Sequence, residues 1–237
     1  MLMTELAASL FDARFHREIR LLAGLSHPNI LPVLDSGQFD DAVFYVMPYV
    51  AGESLRHRID KGGPLTLTDA MSLARDVASA LDYAHSRNVV HRDVKPENIL
   101  YDGPRAILAD FGIARAILAS SDSISSSGLV VGTAAYMSPE QALEGRVVDG
   151  RTDLYSLGCV LFEALTGEAP FSGPTAHALI ARHITQPPSP IRTVRPEIPA
   201  HVERAIHSAM AKEPAQRPEN GAAFVAMLEG ERGRIEE

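Results

Sequence analysis

The sequence contains little lysine and no cluster of positive charge. Its lysines are Lys61, Lys95 and Lys212, and the formal net charge is −8 at pH 7. Proteins that bind nucleic acid present runs or patches of Lys and Arg to the phosphate backbone, so no nucleic-acid partner is expected. The nine histidines show no spacing typical of metal ligands.

Cysteine and long apolar runs are also scarce. The single cysteine, Cys159, cannot form an internal disulfide, which fits a reducing cytoplasm, and its apolar surroundings predict a buried thiol. No stretch reaches the roughly 18 to 20 apolar residues of a membrane helix. The first residues lack a basic segment followed by an apolar core, so no signal peptide is expected. These features predict a cytoplasmic chain without a membrane segment.

Two polar motifs lie close together near the middle of the chain. The run His91–Asn98 reads His-Arg-Asp-Val-Lys-Pro-Glu-Asn, and Asp-Phe-Gly follows at Asp110–Gly112. The apolar runs between them flank Asp102-Gly103-Pro104, which predicts a hairpin that sets Asn98 and Asp110 side by side. A polar turn and hairpin without chemistry is the plain alternative.

The motifs suit phosphoryl transfer. That reaction needs a carboxylate near the incoming hydroxyl, oxygen ligands for a metal on the polyphosphate, and positive charge where negative charge develops. The motifs resemble the catalytic and metal-binding loops of protein kinases. The resemblance implies that Asp93 orients or deprotonates the hydroxyl, that Lys95 contacts the transferred phosphate, and that Asn98 and Asp110 bind Mg²⁺. His91 and Phe111 would support these loops.

The upstream segment resembles the nucleotide-binding side of a kinase. Met47–Gly52 is similar to the hinge between kinase lobes, with Met47 behind the adenine of ATP and the backbone of Val50 hydrogen-bonded to it. Tyr49 and Leu100 are further candidates for nucleotide contact. Glu18 matches the helix glutamate that pairs with a lysine on the preceding strand, although a solvated glutamate on an amphipathic helix is the alternative.

A serine-rich stretch at residues 119–128 predicts a mobile loop, and the resemblance makes it the activation segment. Ser125 and Ser127 fall where related bacterial kinases are phosphorylated, and Arg92 could pair with a phosphate there. A flexible serine linker is the alternative. Thr133 matches the position that bonds the catalytic Asp and Lys in Ser/Thr kinases.

Three further residues are expected to support the architecture. Glu140 and Arg217 match a buried ion pair of the family, and Asp153 matches a buried carboxylate that accepts hydrogen bonds from the catalytic-loop backbone. Local patterns predict strands at Ile30–Leu34 and Ala42–Met47 and a helix capped by Thr66. An irregular loop is predicted at Gln186–Pro199.

From Phe15 to Leu228 the chain resembles a bacterial, eukaryotic-like Ser/Thr protein kinase. The resemblance implies an α+β, kinase-like bilobal fold, with residues 1–50 as a partial small lobe and residues 51–237 as a helical large lobe. The glycine-rich loop and the Val-Ala-Ile-Lys strand of a complete kinase are missing, and no lysine precedes Glu18. We therefore expect an N-terminally shortened small lobe and weak or absent activity.

The leading hypothesis is ATP- and Mg²⁺-dependent phosphoryl transfer to Ser/Thr of protein substrates, with self-association or autophosphorylation possible. The alternative is a pseudokinase or regulatory protein-binding module, which tight Mg-ATP binding without turnover would favour. A purely structural helical domain would not explain the pair of metal ligands, Asn98 and Asp110.

Overall fold

The computed structural model describes residues 21–39, 42–111, 134–143 and 145–230. Two β-hairpins, separated in the chain by two helices, accompany a mainly helical part. The strands are β1 (Asp35–Phe39), β2 (Ala42–Val46), β3 (Ile99–Asp102) and β4 (Arg105–Leu108). The helices are α1 (Leu55–Gly62), α2 (Leu67–His85), α3 (Pro139–Ala142), α4 (Arg151–Thr166), α5 (Ala176–Thr185), α6 (Ile191–Val194), α7 (Ala200–Ala209) and α8 (Gly221–Leu228).

The strand predicted at Ile30–Leu34 is wrong. The first strand is instead Asp35–Phe39, which pairs antiparallel with β2. Residues 30 and 31 are buried because they run beside β4, where the Leu31 N–H donates to the Leu108 carbonyl over 2.9 Å and the Leu108 N–H donates to Asn29 over 2.9 Å. Their apolar pattern reflects this burial, although these residues do not form a β-strand. The spacing of apolar residues cannot distinguish a buried strand from another buried segment.

The hairpin predicted between the two motifs is present. Strands β3 and β4 pair antiparallel from Ile99↔Leu108 to Asp102↔Arg105. Gly103 turns the chain with φ +60°, a conformation that glycine adopts without steric cost. Beyond the ladder, the Ala109 N–H donates to the Asn98 carbonyl over 2.8 Å. Asp110 therefore follows a residue that is tied directly to the end of the catalytic loop.

Helices α2 and α4 form the centre of the helical part. The Thr66 hydroxyl caps α2 by accepting a hydrogen bond from the Asp69 N–H at 3.1 Å, as predicted. Every residue of α4 from Thr152 to Leu165 is buried, and the helix ends at Gly167 in a left-handed conformation. Helix α2 packs against α4, α8 and β4. This core carries the two loops of the candidate site.

A helical turn lies where the sequence predicted a loop. Residues Ile191–Val194 form a single helical turn inside the stretch predicted to be an irregular loop. Ile191 is fully buried, so tertiary packing and not local propensity holds this turn. Within the described ranges, no helix combines the length and apolar character needed to cross a membrane.

The segment that follows residue 50 is closely packed on β3. A Cβ atom added to Gly52 would lie 1.7 Å from the Tyr101 carbonyl oxygen, so no other residue fits at this contact without movement of the backbone. The next residue, Glu53, accepts a hydrogen bond from the Tyr101 N–H at 3.0 Å. These contacts hold the segment after residue 50 against the hairpin.

Candidate active site

The candidate catalytic carboxylate, Asp93, is held by two neighbours in its own loop. The Lys95 ammonium lies 2.7 Å from Asp93 Oδ2. The Asn98 amide nitrogen donates to the same oxygen over 3.1 Å and to the Asp93 carbonyl over 2.9 Å. All three side chains are partly or mostly buried. A negative and a positive group are therefore fixed side by side, with the amide of Asn98 between the loop and the hairpin.

His91 also supports this loop. Its side chain is fully buried, and burial lowers its pKa, so the neutral imidazole is favoured. Nε2 lies 3.0 Å from the Ala109 carbonyl, and Nδ1 accepts from the Asp93 N–H at 3.2 Å. The ring packs on Phe111 with centroids 4.4 Å apart. One buried side chain thus joins the catalytic loop to the Asp-Phe-Gly motif.

Asp153 supports the same loop from helix α4. Its fully buried carboxylate accepts hydrogen bonds from the backbone N–H groups of His91 at 2.8 Å and Arg92 at 2.7 Å. His85 Nε2 lies 2.7 Å from the same carboxylate. Arg92 adopts φ +66°, a sparsely populated conformation for a residue other than glycine. The expected contact between a buried carboxylate and the loop backbone is present.

Asp110 makes a contact that the sequence did not reveal. The Tyr45 hydroxyl donates to Asp110 Oδ1 over 2.9 Å. Burial and the neighbouring carboxylate raise the pKa of Tyr45 to about 12, so the phenol remains protonated and able to donate. The one available signal was alternation in β2, where Phe44 and Val46 are exposed and Tyr45 is half-buried on the other face.

The side-chain oxygens of Asn98 and Asp110 are suitable ligands for Mg²⁺. Since the Asn98 amide nitrogen is used by Asp93, the amide oxygen is left as an acceptor. Asp110 offers carboxylate oxygens from the adjacent loop. Mg²⁺ prefers such hard oxygen ligands and commonly uses only one or two carboxylates with water and phosphate oxygens. In residues 21–39, 42–111, 134–143 and 145–230, no group of three or more His, Cys, Asp or Glu is placed to hold a metal.

The candidate nucleotide contacts divide into two groups. Three of them, Met47, Val50 and Leu100, pack together on a small apolar cluster formed by Leu31, Ile107 and Ala109. Tyr49 is different, because it is 92% exposed and is not among the residues packed on this cluster. The structure therefore brings three of the four described candidates onto one apolar surface.

The sequence analysis also missed a charged network that includes Glu97 of the candidate catalytic loop. Arg56 of α1 donates to Glu97 over 3.0 Å and to the buried Glu163 of α4 over 2.8 Å. It also donates to the Tyr136 hydroxyl, which itself donates to Glu163. Burial and the bond to Glu163 raise the pKa of Tyr136, so it stays neutral. Only folding brings these residues together, because they come from four separate segments.

The ion pair expected between Glu140 and Arg217 is present and bidentate. Arg217 Nη1 and Nη2 lie 2.6 and 2.7 Å from the two carboxylate oxygens, and both side chains are buried. Burial alone would raise the pKa of Glu140, but hydrogen bonds from Arg217 and Thr152 hold it below its usual range. The pair joins α3 to the segment before α8.

Four candidate residues lie outside the described residues: Glu18, Ser125, Ser127 and Thr133. Their expected roles in nucleotide binding and regulation therefore stay predictions. The described part of the candidate site consists of the loop His91–Asn98, Asp110 and Phe111, and the apolar surface of Met47, Val50 and Leu100.

Comparison with known proteins gives a consistent result. A family model described as Protein kinase domain matches residues 2–226. Serine/threonine-protein kinase PknB of Mycobacterium tuberculosis is 40% identical over 223 residues, covering 92% of this chain and 36% of PknB. Serine/threonine-protein kinase PknJ of the same species is 42% identical over 232 residues, covering 94% of this chain and 39% of PknJ.

A solved structure of Rad53 residues 1–466 in complex with AMP-PNP is similar at a TM-score of 0.75 and 25% identity. The match covers 91% of this chain and 54% of the Rad53 chain. The chain thus spans little more than a third of the mycobacterial relatives that it matches.

Proposed function

This chain belongs to the protein kinase domain family and has the α+β fold expected for it, and from this premise we propose that it transfers a phosphoryl group from ATP to serine or threonine residues of proteins. The observation that carries the proposal is the arrangement of Asp93, with Lys95 at 2.7 Å and the Asn98 amide at 3.1 Å from its carboxylate. A hydrogen-bonded carboxylate can accept a proton from a hydroxyl nucleophile. A neighbouring cation can stabilise the negative charge that develops on the transferred phosphate.

In this proposal Asp93 orients the substrate hydroxyl and accepts its proton. Its bond from Asn98 keeps the carboxylate from rotating, and that restriction favours the productive geometry. Lys95 balances the charge of Asp93 before substrate binds and stabilises the transferred phosphate afterwards. His91 and Asp153 keep the loop backbone in place through the hydrogen bonds described above.

ATP would bind between this loop and the hinge. Met47, Val50 and Leu100 would supply an apolar surface for the adenine, and the Val50 backbone would hydrogen-bond to it. Tyr49 stays a candidate contact. Asn98 and Asp110 would hold Mg²⁺, which neutralises negative charge on the phosphates. The likeness to a protein solved with AMP-PNP supports nucleotide binding by this chain.

Regulation and cellular context extend the proposal. Ser125 or Ser127 would be phosphorylated by another copy of the chain, and Arg92 would pair with the phosphate. Thr133 would bond the catalytic residues, and Glu18 would act on the nucleotide side. We place the protein in the cytoplasm, where ATP is available and the buried free thiol of Cys159 would stay reduced.

The test is the intact mass of the purified chain after incubation with Mg-ATP. We expect increments of one phosphate in the parent chain. Asp93→Asn should show no increment. Asp102→Asn changes an exposed carboxylate on the neighbouring hairpin and should behave like the parent. Equal phosphorylation of the parent and Asp93→Asn would contradict the proposal.

The second candidate is a nucleotide-dependent binding module. The apolar surface of Met47, Val50 and Leu100 supports it, since this surface could hold a nucleotide without any transfer step. A folded parent chain that binds Mg-ATP but gains no phosphate would support this function over catalysis. Repeating the incubation with a mixture of Ser- and Thr-containing peptides excludes the case in which the chain lacks only a phosphorylatable site of its own.

A further inference from the structure

We propose that Tyr45 is a positioning residue for Mg²⁺ binding, because its hydroxyl holds Asp110 Oδ1 and presents the other carboxylate oxygen to the metal. The inference rests on the proposed function, in which Asp110 is a metal ligand. Its basis is the 2.9 Å hydrogen bond from Tyr45 to Asp110, which joins residues 65 positions apart. Neither motif of the catalytic site contains Tyr45.

The position of Tyr45 is fixed by its strand and by the side chains around its ring. Strand β2 is tied to β1 through residues 35–39, and its alternation directs Tyr45 away from the exposed face. The ring lines a small apolar pocket with Leu22, Leu31, Val33 and Met47. Only the hydroxyl of this side chain is polar, and it meets the carboxylate at the edge of the pocket. The ring therefore serves as a rigid support for one hydrogen-bond donor.

The backbone of Asp110 makes such support useful. Asp110 adopts φ +54°, a left-handed conformation that is sparsely populated by residues other than glycine. The chain therefore leaves the extended conformation of β4 at Asp110, and Asp110 is exposed. An exposed carboxylate rotates freely about its last bond unless a donor restrains it. Among the residues that the structure describes, Tyr45 is the side chain that donates to Asp110.

The hydrogen bond leaves a defined ligand atom. Oδ1 accepts the phenol, whereas Oδ2 receives no hydrogen bond from the described part of the chain. A hydrogen bond to one oxygen of a metal-binding carboxylate orients the group, and loss of such outer partners commonly lowers metal affinity by about 10- to 100-fold. A neutral phenol orients the carboxylate without adding a positive charge that would repel Mg²⁺. This distinguishes Tyr45 from a lysine or arginine at the same place.

The test measures binding and not turnover. Calorimetric titrations with AMP-PNP at a series of Mg²⁺ concentrations give the concentration at which magnesium-dependent nucleotide binding is half-maximal. We expect Tyr45→Phe to raise this concentration about tenfold or more, while nucleotide affinity without Mg²⁺ is unchanged. Tyr83→Phe is the matched control, because it removes a hydroxyl that accepts from the Ser26 N–H at 3.0 Å without contacting the site. It should leave the magnesium requirement at the parent value.

A double-mutant cycle with Asp110→Asn tests whether Tyr45 acts on the metal through Asp110. Once Asp110 is changed, the further change Tyr45→Phe should have no effect on the magnesium requirement. An unchanged requirement in Tyr45→Phe alone would overturn the inference and leave the proposed function standing. A lowered requirement would also overturn it, since the hydroxyl would then compete with the metal. If the parent shows no magnesium-dependent binding, the proposed metal site fails and the role of Tyr45 fails with it.

Discussion

Acid should destabilise the fold through one buried histidine, His183. This residue of α5 is 1% exposed, and Nδ1 lies 2.9 Å from the Tyr155 hydroxyl. Its ring packs edge-on against Phe171, and the Lys212 ammonium lies 4.5 Å from the same Phe171 ring. Burial, and then the charge of Lys212, lower the pKa of His183 to about 4. Protonation would add a second positive charge to a region that water does not reach.

The direction and size of the effect follow from proton linkage. An unfolded chain binds this proton with a pKa of about 6.5, so it takes up more protons than the folded chain between about pH 6.5 and pH 4. Stability is therefore complete above about pH 6.5 and decreases as the pH falls towards 4. The full difference of about 2.5 pKa units corresponds to about 3 kcal/mol, of which about 2 kcal/mol is lost by pH 5.

Urea unfolding of the parent chain and of His183→Gln, at about pH 7.5 and about pH 5, measures this contribution. Glutamine retains a polar atom near the Tyr155 hydroxyl but takes up no proton in this range. We expect the parent to lose about 2 kcal/mol more than His183→Gln between the two conditions. His177→Gln changes an exposed histidine of the same helix and should retain the parent response. The same pH response in the parent and His183→Gln would refute the reasoning.

Two further substitutions test the packing around the site. Glu140→Gln should cost about 3 to 5 kcal/mol of unfolding free energy, because it leaves Arg217 charged and buried. The double variant with Arg217→Met should lose less unfolding free energy than the sum of the two single variants. Strictly additive losses in urea unfolding would contradict this. Gly52→Ala should cost about 1 to 3 kcal/mol, since its Cβ would overlap the Tyr101 carbonyl, whereas Gly62→Ala meets nothing within 4 Å and serves as the control. Equal Tm values for the two glycine variants would contradict the overlap.

The elements predicted well from sequence are those specified by adjacent residues. Thr66 caps α2 through the N–H of a residue three positions away, and the β3–β4 hairpin depends on a turn at Gly103. The strand predicted at Ile30–Leu34 was wrong because its apolar pattern arises from a neighbour far along the chain, Leu108. Ile191 lies in an unexpected helical turn for a related reason, since this turn packs against α4 and α7.

The candidate site divides in the same way. The sequence by itself determined the catalytic loop, since Asp93, Lys95 and Asn98 lie within one short turn and contact one another directly. Only the tertiary structure placed Tyr45 on Asp110 and linked Glu97 through Arg56 to Glu163. Those contacts join segments that are brought together by burial of a shared core, and a local pattern cannot specify which distant partner a side chain will meet.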